Sequence, residues 1–74
     1  MAGTSVPRGI PPAALHAALE ILRSSSAPVK RRSLLEELER RGHRISLAGL
    51  NRILQHCVES GLTEERPMGI VSRR

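Results

Sequence analysis

Asn51, Arg52 and Gln55 fall within a single stretch of five residues and bring three side chains that can read or grip a nucleic acid. The carboxamides of Asn51 and Gln55 match the donor–acceptor pattern of an adenine edge, and the guanidinium of Arg52 matches guanine or a phosphate. Just before them stand Ala48 and Gly49, small enough to let a helix backbone approach a duplex, and Ser46, a strong helix-capping residue. Cations flank this stretch on both sides: Lys30 and Arg31 upstream, Arg44 immediately before it, Arg66 and Arg73 beyond it. The chemistry offered is phosphate binding and base-edge pairing, with Lys30, Arg31, Arg44, Ser46, Ala48, Asn51, Arg52, Gln55, Arg66 and Arg73 as the candidate DNA-binding residues.

The charge balance agrees. The 74 residues carry 12 Lys+Arg against 7 Asp+Glu, a formal net charge of +5. Phe, Tyr and Trp are all absent. Single-strand binders stack bases on such rings, so that mode is excluded and duplex DNA is the expected partner. The alternative from a different class is a protein-interaction module, docking a partner on the acidic run Glu36, Glu37 and Glu39 and on the apolar edge of the first helix.

Other chemistries find little support. His56 and Cys57 are adjacent, hence about 100° apart on a helix, and neither pairs with His16 or His43 at metal-ligand spacing, so no metal or other cofactor is expected. No nucleophile stands beside a plausible base and no glycine-rich phosphate loop follows a strand, so the expectation is a binding protein and not an enzyme. The lone Cys57 cannot form an internal disulfide, and it reads as a small core residue. No apolar run has bilayer length and residues 1–10 lack the apolar segment of a signal peptide, which leads to the expectation of a cytoplasmic, nucleoid-associated protein without membrane contact.

The elements that must position these residues follow from periodicity. Residues 1–10 mix Gly, Thr, Ser and Pro without a repeat and are read as a disordered arm, Arg8 included; residues 11–74 form the one domain that this length allows. A first helix opens at Pro11 and Pro12, where a missing N–H costs nothing, buries Leu15, Ala18, Leu19 and Leu22, and stops in Ser24-Ser25-Ser26 ahead of Pro28. After an extended link over 27–29, a second helix spans about 31–41 with Leu34, Leu35 and Leu38 inward and Gly42 as a left-handed cap. Lys30, Arg31 and Arg32 at its start oppose the helix dipole, a small cost that a phosphate contact would explain.

Ser46 then caps a third helix that buries Leu50, Ile53, Leu54, Cys57 and Val58 and ends at Gly61. Two short strands, 62–66 and 70–73, are joined across Pro67-Met68-Gly69 as a hairpin. The acidic pair Glu64 and Glu65 weakens the case for the wing unless alternation along its first strand turns Glu64 away from the DNA. The expected fold is mainly α with a small β-hairpin: a winged helix-turn-helix of three helices plus a wing. In such a fold the third helix enters the major groove and the wing lies on the neighbouring backbone. One module covers little DNA, so a homodimer is expected.

The run Arg44-Ile45-Ser46-Leu47-Ala48-Gly49-Leu50-Asn51-Arg52-Ile53-Leu54, continued by Val58-Glu59-Ser60-Gly61-Leu62, resembles the recognition-helix segment of the ferric uptake regulator family, R-I-S-L-A-T-V-Y-R-T-L followed by V-E-A-G-L. The likeness spans about residues 13–74 and corresponds to that family's N-terminal, DNA-binding half. It implies a winged helix in which Ala48, Asn51 and Arg52 approach DNA. Asn51 stands where the family has tyrosine and Gly49 where it has threonine; the family's metal-binding dimerisation half has no counterpart here, and no metal-sensing role is carried over.

Overall fold

A computed structural model of the chain describes residues 9–73; the part of the expected arm over residues 1–8, with Arg8, lies outside them, as does Arg74. Three helices, α1 (Pro12–Ser24), α2 (Arg31–Arg40) and α3 (Leu47–Glu59), precede a two-stranded antiparallel hairpin of β1 (Thr63–Arg66) and β2 (Gly69–Ser72).

Each helix boundary has a local cause. Pro12 occupies the first turn of α1, and the serines after Leu22 leave the helix for extended backbone, Ser25 donating through Oγ to the Ala27 carbonyl at 2.7 Å. α2 ends when Gly42 adopts φ +92°, letting the His43 N–H reach the Leu38 carbonyl at 2.8 Å and the Gly42 N–H reach Glu39 at 3.0 Å. α3 closes in the same way at Gly61, φ +75°, with the Leu62 N–H on the Cys57 carbonyl. Both ends are Schellman motifs, which satisfy carbonyls that a helix terminus would otherwise leave unpaired.

The core is aliphatic and continuous. Leu34 and Leu38 of α2, Leu50, Ile53 and Leu54 of α3 and Ile70 of β2 are fully or almost fully buried, against a closely set α1 that buries Ala14, Ala17 and Ala18 beside its leucines. With no rings available, small and branched aliphatic residues fill the core. Two positions depart from expectation. Ile10, assigned to the arm, is only 8 % exposed and joins the core. Val58, assigned inward, is 39 % exposed: it lies about 80° around the helix from Leu50, at the edge of the buried stripe.

The link between α1 and α2 does more than connect. Val29 exchanges both backbone hydrogen bonds with Ile70, at 3.0 and 2.8 Å, so that β2 is flanked by β1 on one side and by a single bridging residue on the other. Gly69, at φ +146°, makes this approach possible, since a Cβ there would stand 2.8 Å from the Val29 carbonyl carbon and oxygen. The bridge fixes the start of α2, two residues later, against the base of the hairpin.

Candidate nucleic-acid interface

Four residues of α3, Leu50, Ile53, Leu54 and Cys57, are buried, and this orients the rest of the helix. At about 100° per residue, Ala48, Arg52, Gln55 and Glu59 occupy the opposite side, with Asn51 and Val58 on the flank toward α2 and the hairpin and Gly49 and His56 on the other. Ala48, Asn51, Arg52 and Gln55 are all exposed. Ser46 caps the helix: its Oγ accepts from the Gly49 N–H at 3.0 Å. The hydroxyl proton stays available to an acceptor outside the protein.

The candidate side chains divide into those already engaged and those that are free. Arg31 donates through Nε to Asn51 Oδ1 at 2.9 Å, and its Nη2 forms an ion pair with Glu65 of β1. Gln55 Nε2 donates to Glu59 Oε2 at 3.2 Å, and Arg66 faces Glu64 at 3.5 Å. By contrast Lys30, Arg32, Arg44, Arg52 and Arg73 have no acidic side chain within ion-pair distance among the described residues. Lys30 and Arg32 flank Arg31 at the start of α2, Arg44 lies in the turn before α3, and Arg52 lies on the outer face of α3 with its guanidinium beside Gly9. Neither α2 nor α3 carries an acidic residue in its first turn. Arg73 is not brought to the same place, since its N–H donates to the Leu62 carbonyl at the foot of the hairpin.

In the acidic run of α2 only Glu37 is paired, with Arg40 at 3.0 Å and Arg41 at 3.6 Å, while Arg41 also reaches Glu20 of α1 at 3.6 Å; Glu36 and Glu39 have no cation within ion-pair distance among the described residues. Between α3 and β1 lies a shallow cleft lined by Arg31, Asn51, Gln55, Val58, Glu59 and Glu65. Gly9 borders the far side of α3, where a Cβ would stand 3.3 Å from an Arg52 guanidinium nitrogen.

Strand alternation distributes the wing's charges in a way the sequence leaves open. Thr63 and Glu65 share the inner face with Ile70's side of the sheet, while Glu64 and Arg66 share the outer one. Glu64 therefore accompanies Arg66 instead of turning away from it, and Glu65 turns toward Arg31. Glu59 could be found from its i+4 spacing to Gln55; nothing local marks Glu65, whose partner lies on another element.

Among the described residues no group of three or more His, Cys, Asp or Glu side chains is placed to hold a metal ion, and no helix is long and apolar enough to cross a membrane. Cys57 is buried, and burial pushes its thiol pKa from 9.0 to about 11. Comparison with protein-family models, curated proteins and solved structures gave no match to this chain.

Proposed function

We propose that the chain is a winged helix-turn-helix module that binds double-stranded DNA, with the outer face of α3 in the major groove and the hairpin along the adjacent backbone. The observation that supports this most is that Lys30, Arg32, Arg44 and Arg52, on or next to the two helices of the motif, carry no ion pair among the described residues and neither helix has an acidic residue in its first turn, while most of the protein's acidic side chains are spent on other cations. Uncompensated cations at a helix N-terminus are where a phosphate gains both ion pairing and the pull of the helix dipole. The small Ala48 and Gly49 permit close approach, and Arg52 has the geometry for a guanine edge. The likeness of residues 44–62 to a recognition-helix segment points the same way.

On this reading Arg44, Lys30 and Arg32 hold phosphates, Arg52 reads sequence, and Asn51 and Gln55 do so once released from their internal partners. Two copies on a symmetric site would supply the contact area that one module lacks. The role is that of a small regulator or DNA-maintenance factor at the nucleoid.

An unbiased selection from randomised duplexes tests the proposal. Wild type should enrich a defined motif, and Arg52→Ala should lose preference at one base pair, a discrimination of about 1–3 kcal/mol. A wild type that enriches nothing, with Arg52→Ala indistinguishable from it, contradicts the reading.

A further inference from the structure

We infer that Glu65 is a built-in competitor for DNA phosphate: it occupies Arg31, which in turn holds Asn51, so that one phosphate contact and one base contact are released together when a duplex displaces it. This rests on the DNA-binding reading above.

The arrangement is set by the backbone. Glu65 is in register with Ile70, Ile70 is bridged to Val29, and Arg31 follows Val29 by two residues. Glu65 and Arg31 are thus brought together by two ladders of main-chain hydrogen bonds on either side of a buried residue. Arg31 spends Nη2 on the Glu65 carboxylate and Nε on Asn51 Oδ1. Since Nε can only donate, the Asn51 oxygen is the atom turned toward Arg31. The Arg31 and Glu65 side chains remain 41 % and 46 % exposed, open to exchange with an external anion. A phosphate offers the guanidinium the same charge-assisted contact as a carboxylate. A phosphate that takes Arg31 frees the Asn51 amide for a base edge, which couples backbone gripping to base reading.

The charge arithmetic gives the size. While Glu65 cancels Arg31, no counterion is released when Arg31 meets DNA. Removing the carboxylate adds one phosphate contact, which steepens the log–log salt slope by about 0.9 and tightens binding about eightfold at 0.1 M salt.

Titrating a labelled duplex carrying the selected motif with six forms of the full chain tests this: wild type, Glu65→Ala, Glu65→Gln, Arg31→Ala, the Glu65→Ala/Arg31→Ala double variant, and Glu39→Gln as a matched charge change outside the cleft. Circular dichroism would verify folding of each, and Glu65→Gln keeps side-chain length should the alanine disturb the strand. The expected result is about eightfold tighter binding by either Glu65 variant, beyond any gain in Glu39→Gln. On the Arg31→Ala background the Glu65→Ala change should bring no gain beyond that of Glu39→Gln. Equal gains in Glu65 and Glu39 variants, or strictly additive effects of Glu65 and Arg31, overturn the inference and leave the DNA-binding reading standing. Absence of binding by every form, at low salt as well, overturns both.

Discussion

The Arg31 guanidinium of α2 donates to the Asn51 carboxamide of α3 at 2.9 Å, joining two residues twenty positions apart in the chain. Among the described residues this contact is the one side-chain hydrogen bond that ties the start of α2 to the outer flank of α3, and it fixes which atom of Asn51 faces inward. Both residues are substantially exposed, so its worth is small. A double-mutant cycle on Arg31→Ala and Asn51→Ala, followed by urea unfolding, should give a coupling of about 0.5 kcal/mol. A coupling above about 2 kcal/mol would mean that the contact holds the fold together and does not merely orient the amide.

Gly69→Ala should be far more damaging than its size suggests. The added methyl would stand 2.8 Å from the Val29 main chain, at a φ of +146° that side-chain-bearing residues rarely adopt. Shifting Val29 away breaks both hydrogen bonds to Ile70 and detaches the hairpin from the α2 start. The expected loss is about 2–3 kcal/mol, read as a fall in Tm of more than about 10 °C for a domain of this size. An unchanged Tm would show that the bridge contributes nothing to stability.

Cys57 makes stability depend on alkaline pH. Its folded pKa is raised from 9.0 to about 11, so the unfolded chain loses this proton more readily than the folded one. The stabilisation is therefore complete below about pH 9 and is lost as pH rises through about 11. Urea unfolding at pH 8 and near pH 10.5 should show wild type losing on the order of 1–2 kcal/mol more than Cys57→Ala. At pH 8 the buried thiol should also resist alkylation until the protein unfolds. Rapid alkylation of the folded protein would contradict this.

How far the sequence reaches is clearest at particular residues. Gly42 and Gly61 could be assigned as helix caps because a left-handed C′ position is a local demand that glycine meets cheaply. Ser46, Pro12 and the leucine stripes are local in the same sense, and the three helices and the hairpin came from them. The Val29–Ile70 bridge was not legible, because one residue of extended backbone has no period to detect and its partner lies on a distant element. Val58 was misplaced for a subtler reason: it sits on the rim of a stripe, where burial is decided by how far the neighbouring element extends.

At the candidate interface, residue types were readable and pairing was not. The sequence shows Arg31, Asn51 and Gln55 as free recognition groups, whereas each holds an internal partner, two of them through acidic residues outside the candidate set. Arg32 shows the reverse: it stands outside the candidate set, and it is one of the cations without an ion pair at the start of α2. Long side chains choose partners across elements, and no spacing rule in one element encodes that choice.

The most direct measurement is the salt dependence of duplex binding by the wild-type chain. Three unpaired cations assigned to phosphates, Lys30, Arg32 and Arg44, each neutralising one, give a log–log slope of about −2.7 per protein chain and hence about a 40-fold loss of affinity over a fourfold rise in salt. A slope near zero, or no duplex binding at about 50 mM salt, would contradict a DNA-gripping surface built from Lys30, Arg32, Arg44 and Arg52.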